Sequence, residues 1–272
     1  MAVDELLLEE VDAAGAEAAP CLRLYAWDRP TLSLGYFQSL DEMPAEARDR
    51  YAVVRRTTGG GAILHDREVT YSVAVRRETL DGAALYDRVN RALVLALSAL
   101  GAEVTVRGAA SGAMPTQASA CESTTEQAHA SVGPAPAQTT PAQGERGPVS
   151  AQRGPFFCFA RAGATDIIAP SRADAKLAGG AQRRWRSAVL QHGSVMLEAD
   201  EPGAIGLRTL LGRAITFDEL AANIIAGFER EFDCAFAPGE LSAEERRRAE
   251  AIRRERYASD AWLARGHRKG SG

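Results

Sequence analysis

An α/β (α+β) fold is predicted by three features of the 272-residue chain. Hydrophobic residues make up 46% and charged residues 25%, an ordinary globular balance in a chain long enough to bury a core without metal or disulfide staples. Short alternating segments bounded by Gly and Pro read as strands between residues 22 and 75 and again between 156 and 197. Helical periodicity replaces them at 1–14, at 80–100 and in the C-terminal region.

Residues 1–14 predict an acid-rich amphipathic helix with Leu6, Leu7, Val11 and Ala14 on one face. Strands are expected at 22–27 and 31–35, around Pro30, and at 52–56. Residues 57–61 form a turn, because three successive glycines fit no regular element easily. Segments 62–64 and 70–75 then read as a hairpin, so the Gly run joins strands and opens no helix. The helix at 80–100 ends at a C-capping Gly101, and 104–107 is a strand.

From about 108 to 154 the chain is Ala, Ser, Thr, Gln, Pro and Gly with scarcely a large apolar side chain. Such a stretch cannot offset its ordering entropy, which predicts a disordered surface insertion in an overgrown hairpin between 104–107 and a strand at 156–159. Cys121 and His129 lie inside it without rigid support and are expected to be inert. A strand at 166–169, a turn at 170–173 and a strand at 175–178 lead into Gly179-Gly180, and 188–197 reads as a strand pair bent at His192 and Gly193. Helices are expected at 200–211, 216–232 and 242–257, with capping boxes at Thr216/Glu219 and Ser242/Glu245. The last is charged nearly all round, a solvated face, since Arg246 to Arg248 is balanced by Glu244, Glu245 and Glu250. The chain is expected to divide into one main domain over 1–240 and a charged helix and tail over 241–272.

Composition narrows the function classes. A net charge of −4 gives no field to attract nucleic acid. Four cysteines without a CxxC pairing argue against a zinc ribbon and a secreted disulfide framework. Apolar runs such as 93–100 fall far short of the ~20 residues that span a bilayer, and the N-terminus lacks an export signal. The expectation is a cytoplasmic protein with neither nucleic acid nor membrane as partner.

The cations carry more information. Of 32 basic residues only Lys176 and Lys269 are lysine. A lysine kept in the folded body of such a chain points to a compact, deprotonatable amine, with a chance surface lysine as the alternative. Lys176 opens KLAGGAQRR, whose glycines allow close backbone approach, and Gln191-His192-Gly193-Ser194 follows. Arg55-Arg56-Thr57-Thr58-Gly59-Gly60-Gly61 sets two cations and two hydroxyls before three glycines that can present N–H groups to an anion or carbonyl, although a tight turn explains it equally well. It is neither a Walker A nor a Rossmann element. His65, Asp66 and Glu68 read as a polar cluster rather than a metal site. Cys158, in the apolar segment FFCF, is a core thiol unless a nearby amine takes its proton, and Lys176 is the candidate. Cys21 and Cys234 are assigned to packing.

Together these segments resemble the lipoate and biotin ligase superfamily, in its octanoyltransferase and lipoate-protein ligase branch. The resemblance rests on Asp4-Glu5 with Leu6-Leu7-Leu8, WDRPTLSLGYFQ from Trp27 to Gln38, RRTTGGGAILHDREVTYSV from Arg55 to Val73, KLAGGAQRR from Lys176 to Arg184 and LQHGSVML from Leu190 to Leu197. It implies a class II biotin/lipoate ligase-like mixed sheet flanked by helices, with the acyl chain in a tunnel that Leu32, Leu34 and Ile63 could line. Where the family usually has Gly-Ser, this chain has Gly179-Gly180.

In the cysteine-dependent transferase branch a thiolate accepts the octanoyl chain from acyl carrier protein and passes it to a lysine of a lipoyl domain, such as a glycine-cleavage carrier or a 2-oxo acid dehydrogenase subunit. FFCF matches the place of that nucleophile. The resemblance therefore implies Cys158 and Lys176 as catalytic residues, Lys176 being the base. It implies substrate binding by Arg55, Arg56, Thr58, Gly59, Gly60, Gly61, His65, Gly179, Gly180, Ala181, Gln182 and His192, with Arg183 near the carrier. No cofactor or metal is expected. The alternative is a lipoate-protein ligase, in which ATP and Mg make an acyl-adenylate held by Lys176 and Cys158 is plain core. A non-catalytic carrier-binding module is the other alternative.

Overall fold

The computed structural model describes residues 1–80, 82–109, 128–132, 156–159, 162–199 and 203–265. Helix α1 (Ala2–Ala14) buries Leu6, Leu7 and Val11, as its periodicity predicts, and also Leu8 and Asp4, whereas Ala14 lies exposed at its end. Strands β1 (Cys21–Tyr25) and β2 (Thr31–Leu34), helix α2 (Ala45–Arg50), and strands β3 (Ala52–Arg55), β4 (Ile63–His65) and β5 (Glu68–Arg76) follow. Helix α3 (Gly82–Ala99) ends before Gly101, whose φ of 91° suits only glycine cheaply. Beyond it come β6 (Thr105–Val106), β7 (Ala128–Val132), β8 (Ile167–Ala169), β9 (Ala175–Trp185) and β10 (Ala188–Met196). The C-terminal region holds α4 (Leu207–Leu211), α5 (Phe217–Phe232), β11 (Phe236–Pro238), α6 (Ala243–Ile252), a π-helical turn (Arg253–Tyr257) and α7 (Asp260–Leu263).

Among the described residues, eight strands form one mixed sheet in the order β11-β7-β1-β5-β10-β9-β8-β6, with β7 parallel to both neighbours and the other pairs antiparallel. Strands β3-β2-β4 make a second, small sheet. Helices α3 and α5 cover one face of the large sheet, where Leu85, Val89, Leu93, Ile224 and Phe228 pack on Leu22, Leu24, Tyr71 and Val73. Gly227 lets α5 approach Ala92 of α3 more closely than any Cβ would permit. Helix α1 packs on alternate residues, Ala74, Ala188 and Leu190, and so covers the opposite face. Each fully buried leucine contributes about 2 kcal/mol of transfer free energy. Helix α6 adds Ala249 and Ile252 beneath Leu6, so the charged C-terminal helix keeps one apolar face against α1.

Several expected elements differ. Segments 62–64 and 70–75 are not a hairpin: β4 pairs with β2, whereas β5 is occupied on both edges by β1 and β10. Residues 156–159 form a turn with a single bridge from Phe157 to Ala62, and β6 pairs with β8 instead. Strand β10 is one unbroken strand, since β5 and β9 ladder it along its length and hold His192 and Gly193 straight. Gly193 is needed there because a Cβ would collide with the Gly179 carbonyl of β9 and lie 2.6 Å from Tyr71 Oη. Strand β9 likewise runs through Gly179-Gly180.

Of the expected 200–211 helix, 200–202 lie outside the described residues, and among 203–211 only Leu207–Leu211 is helical, because Gly203 and Ile205 bond the backbone of Lys176 in β9. Thr216 caps α5 by accepting from the Glu219 N–H, but the Glu219 carboxylate pairs with Arg213, whereas the Ser242/Glu245 box is complete. Of the stretch expected to be disordered, residues 110–127 and 133–154 lie outside the described residues, as does Cys121, while Ala128–Val132, with His129, is a sheet strand. Its backbone finds β1 and β11 on either side, which outweighs its weak apolar content.

Candidate active site

Lys176 is the second residue of β9 and is 1% exposed. Its Nζ lies 3.4 Å from Cys158 Sγ, 2.9 Å from Asp166 Oδ2 and 4.7 Å from the centre of the Phe159 ring. Asp166 directly precedes β8 and is fixed by accepting the Gly163 N–H at 2.6 Å. An ammonium has three donors, so one amine can face thiol and carboxylate together. The sequence reading missed Asp166; the signal available was that it is the only acidic residue between Glu145 and Asp174.

The Gly loop seats the cysteine. Ala62 N–H donates to Phe156 O at 2.7 Å and Cys158 N–H donates to Ala62 O at 2.8 Å. A Cβ on Gly61 would lie 2.9 Å from the Cys158 nitrogen, which explains a glycine at that position. Arg56 binds the loop from behind, with its guanidinium donating to the carbonyls of Gly59, Gly61 and Ser33 at 2.6–3.3 Å. Burial pushes Arg56 down to about 10, against the pull of Cys158, so its guanidinium belongs to the same electrostatic neighbourhood as the cysteine. Burial pushes the Cys21 thiol up to about 12 and raises Cys234 as well, which suits thiols that only pack.

These residues wall a cavity with about 490 Å³ of empty space, its solvent-filled mouth included. Cys158, Phe159, Lys176, Gly179, Gly180 and Ala181 line it on one side, with Arg56, Gly59, Gly60, Ile63, His65 and His192 among the rest. His192 Nε2 shares a hydrogen bond of 2.6 Å with Thr58 Oγ1, and its Nδ1 lies 3.7 Å from Asp4. Burial lowers the His192 pKa, against the pull of Asp4. For Asp4, burial alone would raise the carboxyl, but the terminal ammonium and Arg23 outweigh it and hold it well below its ordinary value. His65 is stacked on Trp27 and bonded to Ser33 and Glu68 at 2.7 Å each.

Other expected site residues are placed elsewhere. Arg55 does not reach the cavity; it is fully buried and donates to the carbonyls of Gly35, Tyr36, Gln38 and Leu263. Gln182 Nε2 turns to Gly82 O and Gln191. Arg183 lies over Tyr36 and Trp185. Leu32 and Leu34 pack into the small sheet's core with Met43, Ala47 and Phe156, so Ile63 alone of the three lines the cavity. At Gly180, where the resemblance leads to an expectation of serine, a Cβ would lie 2.6 Å from Tyr71 Oη. Asp66 pairs with Arg67 at 3.7 Å, and among the described residues no three His, Cys, Asp or Glu converge to hold a metal.

The family model of the lipoyl protein ligase A/B catalytic domain matches residues 1–202. Octanoyltransferase LipM of Kyrpidia tusciae is 32% identical over 96% of this chain and 92% of its own length. LipM of Moorella thermoacetica is 32% identical over 97% and 93%. Among solved structures, the bi-partite lipoate protein ligase of Thermoplasma acidophilum shares the fold, with a TM-score of 0.64 at 18% identity over 99% of this chain and 94% of that one. A lipoate-protein ligase A bound with ATP gives 0.64 at 19% identity over 97% and 92%. By the family match and by its relatives, the chain belongs to the lipoyl protein ligase A/B catalytic domain family.

Proposed function

We propose that the protein is an octanoyltransferase of lipoate biosynthesis, which moves an octanoyl chain from acyl carrier protein to a lipoyl-domain lysine through a thioester on Cys158. The observation that carries this reading is the 3.4 Å approach of Lys176 Nζ to Cys158 Sγ at the cavity wall, with Asp166 at 2.9 Å behind the amine. The uncharged form of the Lys176 amine takes the proton of the thiol, and the Asp166 carboxylate holds the resulting ammonium in place. The sulfur then attacks the incoming thioester carbonyl, and the carrier thiolate leaves with the proton returned by Lys176. In the second half the acceptor amine attacks the Cys158 thioester, an amide forms, and Cys158 recovers its proton. One thioester replaces another of similar energy, so this route needs no nucleotide. The cavity wall of Ile63 and Phe159 suits the hydrocarbon chain, and Arg56 lines the same cavity as the sulfur.

The test is incubation with octanoyl-acyl carrier protein without nucleotide, followed by mass spectrometry. An octanoyl adduct on Cys158, chased onto a lipoyl domain and lost in Cys158→Ala, is expected. Transfer that needs ATP and Mg and survives Cys158→Ala would identify a ligase instead.

A further inference from the structure

The segment after residue 240 lies beyond the 202 residues that the family model matches, yet one of its turns is tied to the cysteine. Leu263 O, at the end of α7, accepts from Arg55 Nε at 3.0 Å and Nη2 at 2.8 Å. Trp262 Nε1 donates back to Arg55 O at 2.9 Å. The remaining Arg55 nitrogen grips the loop after β2, donating to Gly35 O, Tyr36 O and Gln38 O at 2.7–3.2 Å. From that loop Gln38 Nε2 donates 2.9 Å to Phe156 O, the carbonyl that Ala62 N–H also holds two residues before Cys158. Gln38 Oε1 meanwhile accepts the Gly35 N–H, so the side chain is fixed at both ends. No anion pairs with the Arg55 guanidinium in any bond described; its donors all go to carbonyls, which is the work of a clamp rather than of a substrate ligand.

We infer that α7, through Arg55 and Gln38, positions the Cys158 segment against Lys176, so that the C-terminal turn controls the reactivity of the thiol. The inference rests on Cys158 being the nucleophile. Gln38 and Trp262 are positioning residues, because neither lines the cavity. A displacement of the reacting group by about 1 Å can lower a rate about 100-fold, so a partly loosened segment is expected to lose roughly tenfold.

Two conservative variants of the full chain separate positioning from folding, since removing Arg55 outright would strand buried carbonyls. Gln38→Glu keeps the acceptor for Gly35 but loses the donor to Phe156, and Trp262→Phe keeps the ring but loses the N–H. Each is expected to lower kcat for octanoyl transfer roughly tenfold at little-changed KM. Each should also displace the pH profile of Cys158 alkylation by iodoacetamide, which a purely structural defect with a lowered Tm would leave in place. Wild-type kcat and a wild-type alkylation profile in both variants would overturn the inference. If wild type itself forms no acyl-Cys158, the proposed function fails, whereas the alkylation profile still decides the positioning question.

Discussion

Asp166→Asn tests the charge behind the amine. Asparagine keeps the shape of the side chain and an acceptor for the Gly163 N–H, but removes the negative partner 2.9 Å from Lys176 Nζ. Over that distance the Coulomb attraction is about 6 kcal/mol at an effective dielectric of about 20. Much of it offsets the desolvation of the two ions, and deleting one member of a buried pair typically costs about 3–5 kcal/mol. Lys176 is 1% exposed, so water cannot replace the carboxylate. The variant is therefore expected to lose about 3 kcal/mol in urea unfolding and roughly 100-fold in the rate of Cys158 acylation, the low end of a general acid–base contribution. Stopped-flow mixing with octanoyl-acyl carrier protein, followed by acid quench and mass spectrometry, reads that rate. A variant within threefold of wild type and less than about 1 kcal/mol destabilised would refute the assignment of Asp166.

Two further outcomes are expected. Gly61→Ala would force a Cβ to within 2.9 Å of the Cys158 nitrogen and 3.0 Å of Phe156 O, both backbone atoms, so about 1–3 kcal/mol of stability and most single-turnover acylation should be lost. Normal acylation would show that the cysteine segment relaxes freely. The second concerns pH: burial first, then Glu245 and Glu9, pushes the Glu10 carboxyl up to about 7 from an ordinary 4.5. Its folded value lies above its unfolded one, so its contribution to the α1–α6 contact is full below about pH 4.5 and is lost as pH rises through about 7. Tm should consequently fall between pH 6 and 8 by roughly 1–2 °C more in wild type than in Glu10→Gln, a small effect because the group is still partly exposed and screened by solvent. Parallel Tm curves would contradict it.

Periodicity alone located α1, α3 and α5, because each buries a stripe with the helical repeat written into its own residues. The scarcity of lysine singled out Lys176, since one compact amine among arginines is a local chemical fact. Asp166 was not legible: it meets Lys176 only through the β8–β9 register, which shifts between Ile167 and Ile168. Strand partners were equally hidden. Alternation at 62–64 and 70–75 identifies two strands, but which edges were already occupied depends on β2 and β10, far away in sequence. Arg55 and Arg56 look alike as text, and only the fold commits one to α7 and the Gln38 loop and the other to the glycines beside the sulfur.

The stretch between α3 and β8 resembles filler by its composition, yet Ala128–Val132 is the seam that stitches β11 to β1. Cutting out residues 108–154 would bare a row of amides and carbonyls along β1 and set the strand after α5 adrift. A chain shortened in that way would present an open border to its own copies, and sticking together, not loss of chemistry, would be the first symptom.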